Sequence, residues 1–540
     1  MKFGNNNRNA FSIKTLLDIL IGLTSVGIVL ITLGGPGGVS AAALQSNPNK
    51  KNVIFMVTDG MGPASLALTR GFKQFRDKLE IDDVLTLDKH FIGTSRTRSN
   101  NSLVTDSAAG ATAFACALKS YNGAIGVTPD KQPCGTILEA LKLQGYLTGL
   151  VVTTRITDAT PACFSSHVDY RSQEDLIAQH QLGEYPLGRL VDLILGGGRC
   201  HFLPNSYPDG CRSDSRNLIE EAQSNDWSYV GNREEFDLLK LGENVTLPLL
   251  GLLASTDIPY AIDRDSKEYP SLAEQVKVAL TSLSKATKDS DEGFFLLIEG
   301  SRIDHAGHDN DPAAQVREVL AYDDAFKEVI KFIDESDVET VAISTSDHET
   351  GGLATARQIA PDYPDYLWYP EVLLNSTHSG GYLTQKILKF KQSELGLKSD
   401  KFKQFLIKEV VEADLGINDY TSEEIELLEK YSKSSDSLKN YLNDLVLRRS
   451  QTGWSTHGHT AVDVNIYAYS NSDEINKKLY SREGGLLGNH ENIEIGHFME
   501  SLTGVSLEEV SSLIKDTKHS PGVQQFSQDG FHKQQVFEFV

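Results

Sequence analysis

The sequence predicts an α/β fold, a doubly wound and mostly parallel sheet flanked by helices, carrying one insertion and an N-terminal transmembrane helix. Three observations support that expectation. Short apolar, β-branched runs recur along the chain and end in an acid or a glycine, the pattern of strands buried on both faces. Helical stretches such as Cys134 to Gln144 and Ser271 to Lys285 lie between them. Over all 540 residues, 40% are hydrophobic and 23% charged, with no long low-complexity tract, which excludes bulk disorder and fibrous classes. The net charge of −23 excludes a dedicated nucleic-acid binder.

Taken in order, residues 1–14 hold Lys2, Arg8 and Lys14 and no acid. Residues 15–35 open with TLLDILIGLTSVGIVLITLG, whose single charge is Asp18. That length crosses a bilayer, and the basic flank places the first 14 residues in the cytoplasm. The rival reading is a cleaved signal peptide, with Ile19 to Leu33 as its apolar region and Ser40 to Ala43 as the cleavage site. A buried core helix is a third reading. A retained anchor is expected, followed by a linker over 36–50 and a luminal body over 51–540. The sequons at Asn100, Asn244 and Asn375 agree with that compartment. Of five cysteines, Cys200 and Cys211 bracket the loop HFLPNSYPDG and are expected to pair in an oxidising lumen. Cys134 with Cys163 is a weaker pair, and Cys116, in the apolar ATAFACAL, reads as a buried free thiol.

The body begins with NVIFMVTDGMG, a strand ending at Asp59. The same grammar returns in LTGLVVTTRITDATP, VDLILGGG, GFFLLIEGSRIDHAGH and ETVAISTSDHETGG. In a doubly wound sheet ligands bind outside the carboxyl ends of the strands. Those ends carry Asp59, Asp158, Thr160, Glu299, Asp304 and Asp347, and buried acids in such number call for cations. Residues 357–450 break the rhythm, running from PDYPDYLWYP to SEEIELLEKY, and are expected to form a cap on the body rather than a second core.

Asp304 and His308 are four apart, on one face of a helical turn. Asp347 and His348 are adjacent, which a loop at a strand end can aim at one site. Taken singly, each pair reads as an exposed acid and histidine. Repetition raises the odds, since His459 in STHGHTAVDVNIYAYS adds a further imidazole. No cysteine pair has CxxC spacing, so any zinc must use histidine and carboxylate, which suit it. Ser107, in TDSAAGATAFACAL, opens a helix with Thr105 or Asp106 near the cap. It is either a capping serine or a nucleophile whose phosphoryl group the helix N-terminus would stabilise.

DGMG at Asp59, TDSAAGATA around Ser107, DATP from Asp158, IEGSRIDHAGH from Ile298, SDHETGG from Ser346 and HTAVDV from His459 together resemble the alkaline phosphatase family, in order from about residue 50 to 505. With the anchor, the chain is most similar to the fungal vacuolar, membrane-anchored branch. The resemblance implies a phosphate-monoester hydrolase with a phosphoserine intermediate on Ser107, two Zn2+ and one Mg2+. It gives Asp304, His308 and His459 to one zinc and Asp59, Asp347 and His348 to the other. Asp59, Thr160 and Glu299 would hold the magnesium, with Asp158 on its waters. Arg171, in HVDYRS, matches the family's phosphate clamp, where a planar fork suits two phosphoryl oxygens. His457 competes with His459 but has the poorer context, and His305 and His167 are expected in supporting or structural roles. The implied partners are small phosphate monoesters, with phosphoproteins or phosphopeptides as wider substrates, and a second copy in a homodimer. The implied location is the vacuole membrane, with the cell surface or secretion as the alternative. A phosphodiesterase or sulfatase of the same superfamily, or a luminal phosphate- or metal-binding protein without turnover, are the rival functions.

Overall fold

Twelve strands form between Lys51 and Glu491 in the computed structural model, which describes residues 50–364, 366–393 and 399–517. They are β1 (Lys51–Val57), β2 (Phe91–Arg96), β3 (Leu147–Arg155), β4 (Leu193–Gly197), β5 (Ser228–Val230), β6 (Leu249–Leu252), β7 (Phe294–Glu299), β8 (Glu339–Thr345), β9 (Glu349–Thr350), β10 (His459–Thr460), β11 (Val464–Ser470) and β12 (Gly488–Glu491). Ten of them make one sheet in the order β12-β2-β11-β8-β1-β7-β3-β4-β6-β5. Only β11 runs against its neighbours, β2 and β8; the other pairings are parallel. The mostly parallel sheet is therefore as expected. The anchor of 15–35 and the tail before it lie outside the described residues, as does the linker of 36–50 but for Lys50. Among the described residues no helix is long and apolar enough to cross a membrane.

β1 shows why the sheet is buried on both faces. Its Val53, Phe55 and Val57 enter one apolar cluster and its Ile54 and Met56 enter another, all at 0% exposure. Helices Pro63–Asp77, Leu272–Ala286 and Pro312–Glu335 supply residues that cover the second face, among them Leu66, Val276 and Phe326. Helices Ser107–Cys116 and Ala159–Ser165 cover the first with Phe114 and Phe164. Covering both faces is what a parallel sheet requires.

The helices of residues 357–450 bury Leu383, Ile387, Leu428, Leu442 and Leu445 in a cluster distinct from the two that line the sheet, and Leu68, Phe72 and Val316 of the body complete it. The cysteine pairing needs correction. Cys200 and Cys211 are bonded as expected, but Cys116 is bonded to Cys134, and Cys163 is the buried free thiol. Cys116 ends the Ser107 helix, whose cap Ala117 turns left-handed at φ 53°, and the returning chain brings Cys134 to a Cα separation of 5.9 Å. Cys163 meets the same helix earlier, at the Ala108 carbonyl and the Thr112 hydroxyl.

Candidate active site

The register of the central strands assembles the site. Val57 of β1 pairs with Glu299 of β7 on one side and Thr345 of β8 on the other, so Asp59 and Asp347 project from equivalent steps just past the strand ends. The chain after β7 turns into the helix Arg302–His308, which presents Asp304 and His308. The short antiparallel pair of β9 and β10 sets His459 opposite Thr350. Asp106 caps the helix Ser107–Cys116, its Oδ1 accepting from the Ala109 amide at 3.0 Å, which leaves Ser107 as the first helical residue. That helix approaches closely at Gly110, where a Cβ would come within 2.9 Å of the Asp347 Cβ.

Two sets of ligand atoms converge here. Asp304 Oδ2 lies 3.3 Å from His308 Nε2, Asp304 Oδ1 lies 3.6 Å from His459 Nε2, and the two Nε2 atoms are 3.1 Å apart. His348 Nε2 lies 3.2 Å from Asp347 Oδ2, 3.6 Å from Asp59 Oδ1 and 3.1 Å from Ser107 Oγ. The far nitrogen of each ring has an acceptor within reach. Nδ1 of His308 faces the His457 carbonyl at 2.5 Å, that of His459 faces the Thr105 carbonyl at 2.8 Å, and that of His348 faces Thr350 Oγ1 at 3.2 Å. A ring that donates from Nδ1 keeps the Nε2 lone pair for a metal.

The donor set fits divalent cations on two further grounds. Asp59 Oδ1, Asp347 Oδ2 and Thr160 Oγ1 are buried without a hydrogen-bond partner, a costly state that a cation would relieve. Burial pushes Asp347 up to about 7 and Glu299 up to about 8. Burial and the carboxylates of Asp347, Asp304 and Glu299 also hold Asp59 well above the usual range. Although burial opposes its charge, the Asp304 carboxylate raises His308 to about 9, a preference for positive charge at this position that a cation would also meet.

Each residue singled out in the sequence has a place. Glu299 is buried and accepts from Ser301 Oγ at 2.7 Å. Asp158 caps the helix Ala159–Ser165, on whose second position Thr160 sits, also buried. Arg171 spans Asp106 Oδ2 at 3.3 Å and Asp158 Oδ1 at 3.0 Å, which ties the fork to the Ser107 helix. His305 supports from behind, 3.6 Å from Asp257 Oδ2. His167 is structural, buried between the Gly126 carbonyl at 2.6 Å and Glu139 Oε1 at 2.8 Å. The His457 carbonyl meets Nδ1 of His308, and its own ring meets the His308 carbonyl at 2.7 Å rather than the ligand atoms. Sequence reasoning missed Thr350, whose hydroxyl donates to Asp304 Oδ1 at 2.5 Å while contacting His348, and Arg155, which binds Asp158. A motif that lists ligands gives no signal for a threonine between two of them.

The family model for alkaline phosphatase matches residues 50–505. The chain belongs to the alkaline phosphatase family. It is 61% identical over 505 residues to the repressible alkaline phosphatase of Saccharomyces cerevisiae, covering 91% of this chain and 88% of that one. The cold-active alkaline phosphatase of Shewanella sp. shares its fold at a TM-score of 0.68 with 31% identity, over 84% of this chain and 99% of that one. A variant of the alkaline phosphatase from the Antarctic bacterium TAB5, with magnesium bound, superposes at a TM-score of 0.56 with 25% identity, over 85% of this chain and 99% of that one. This alkaline phosphatase is accordingly a phosphoric monoester hydrolase of a metal-dependent family.

Proposed function

We propose that this alkaline phosphatase hydrolyses phosphate monoesters through a phosphoserine on Ser107, at a site for two Zn2+ and one Mg2+. The observation that carries the reading is the position of Ser107 Oγ, at a helix N-terminus and 3.1 Å from His348 Nε2, at the edge of one ligand set. Asp304, His308 and His459 would hold one zinc, and Asp59, Asp347 and His348 the other. Asp59, Thr160 and Glu299 would hold magnesium, the ion bound in the TAB5 relative, with Asp158 behind it. Cations in these places supply Lewis-acid stabilisation of negative charge on oxygen at near-neutral pH. Arg171 grips two phosphoryl oxygens in its fork, which aligns the phosphorus for in-line attack. Ser107 Oγ forms the new P–O bond as the ester P–O bond breaks and the alcohol leaves. Water then cleaves the Ser107 phosphoester, so two displacements give net retention at phosphorus.

The same reading places a catalytic domain at 51–540, with 357–450 as its cap, in an oxidising lumen behind a type II anchor at 15–35. Two bonded cysteine pairs suit that compartment, and all three sequon asparagines, Asn100, Asn244 and Asn375, are exposed. Glycosylation at those asparagines is proposed from the sequons, and the vacuole membrane, with the cell surface or secretion as the alternative, and a homodimer from the family resemblance.

The test is turnover of a chromogenic phosphate monoester at basic pH by the purified full-length protein, before and after chelation. Activity should vanish with chelator and return only when Zn2+ and Mg2+ are both restored. Full turnover after exhaustive chelation, or restoration by Mg2+ alone, would overturn the assignment of the ions.

A further inference from the structure

Behind the phosphate clamp lies an arginine that none of the roles above uses. Arg155 is the last residue of β3, and its guanidinium meets three carboxylates. Nη2 donates to Asp158 Oδ2 at 2.9 Å, Nε to Glu174 Oε2 at 2.8 Å and Nη1 to Asp257 Oδ1 at 2.9 Å. Its backbone amide also donates to Asp257 Oδ1, at 3.2 Å. The anchors are themselves held. Glu174 accepts from Thr157 Oγ1 at 2.6 Å and lies 3.2 Å from His201 Nε2, inside the Cys200–Cys211 loop. Asp257 lies 3.6 Å from His305 Nδ1.

Asp158 therefore sits between two guanidinium groups, with Oδ2 on Arg155 and Oδ1 on Arg171. We infer that Arg155 is a positioning residue for phosphate binding: by holding one oxygen of Asp158 it fixes the carboxylate plane and keeps Asp158 from closing on Arg171. A carboxylate and an arginine left to themselves pair through both oxygens and two nitrogens. Asp158 Oδ1 already accepts from Arg171 Nη2 at 3.0 Å and from the Ala159 amide at 2.7 Å; without Arg155, Oδ2 is free to turn toward Arg171 as well and compete with a phosphoryl group for its remaining donors. Glu174 and Asp257 also lose their cation, which leaves uncompensated negative charge beside a site for a dianion. Both effects oppose phosphate, and neither touches the Ser107 nucleophile.

This inference rests on the reading of Arg171 as the clamp, and the experiment separates the two. KM, kcat, the inhibition constant of inorganic phosphate and bound zinc and magnesium are measured for the full-length wild type and for Arg155→Met, Arg155→Lys and Arg171→Ala. Arg155→Met should raise KM and the phosphate inhibition constant about tenfold, the scale of one lost charge-assisted hydrogen bond. Its kcat should stay within about threefold and its metal content at the wild-type level. Arg155→Lys keeps the charge but not the fork, and should fall between the two. Should the methionine variant fail to fold, the lysine variant decides the matter. A wild-type phosphate inhibition constant in Arg155→Met, or in Arg155→Lys if that is the only folded variant, overturns the proposal, and a raised constant in Arg171→Ala would then show that the clamp reading stands. An unchanged constant in Arg171→Ala overturns the clamp reading and the proposal with it.

Discussion

The outer contacts of three imidazoles set which ring nitrogen faces the site. His308 and His459 each face a backbone carbonyl with Nδ1, and His348 faces the Thr350 hydroxyl, so all three turn Nε2 inward. Away from the site, burial has a measurable consequence at Glu318. It lies on the helix Pro312–Glu335, only 5% exposed, and accepts from the Ala261 amide. Burial pushes its carboxyl up to about 6 from 4.5, opposed by the Ala261 amide and Arg302. The folded chain thus holds this proton more tightly than the unfolded one. The stability it contributes is complete below about 4.5 and is lost as pH rises through about 6. Relative to wild type, Glu318→Gln should therefore gain about 2 kcal/mol between pH ~4 and ~7.5, read from urea unfolding midpoints. A constant difference across that range would show that Glu318 titrates alike in the folded and unfolded chains, and so that burial does not raise its carboxyl. Residues with charge and ligating atoms were legible in the sequence because acids recur at the ends of successive apolar runs and histidines stand beside them in Asp304–His308 and Asp347–His348. Arg155 and Thr350 were not, since an arginine ending a strand reads as a surface ion pair and a threonine after His348 reads as part of a turn.

At the scale of elements, the strands were legible where both faces are buried, as in β1, β3, β7 and β8, because their apolar runs are unbroken. The short β9–β10 pair was not, since two residues carry no periodicity and their pairing depends on a contact across more than 100 positions. The cap's apolar residues are spaced as on amphipathic helices, but the cluster they form closes only against Leu68, Phe72 and Val316, which the local sequence does not show. The Cys116–Cys134 bond was hidden for the same reason: ATAFACAL reads as core until the chain is seen to return. Burial pushes the free Cys163 thiol up to about 12, which leaves it protonated and unreactive at neutral pH. One thiol per chain should titrate in denatured, unreduced protein, and peptide mapping should place it at Cys163. Replacing Cys116 and Cys134 by serine should cost about 3 kcal/mol for a loop of this length. A label on Cys116 would contradict the pairing.

The whole molecule sets a site for an anion inside a chain of net charge −23. Asp59, Glu299, Asp304 and Asp347 are all buried at or just past the ends of the central strands, and the three divalent ions proposed above would bring more positive charge than these acids carry, with Arg171 adding to it. The surrounding charge is screened over about 8 Å at physiological salt, so the local balance governs binding. Six motifs from Asp59 to His459 meet because the parallel register brings the ends of β1, β7 and β8 level, while the helix at Ser107 and the β9–β10 pair bring the remaining side chains to those ends. The central claim is the covalent step on Ser107. Acid-quenching the full-length protein during turnover of a 32P-labelled monoester, then mapping the label, tests it most directly. The account predicts a phosphoserine at Ser107, no label in Ser107→Ala, and a loss of at least about 10³-fold in turnover for that variant with its fold and metal content intact. Wild-type turnover in Ser107→Ala, or label on another residue, would contradict it.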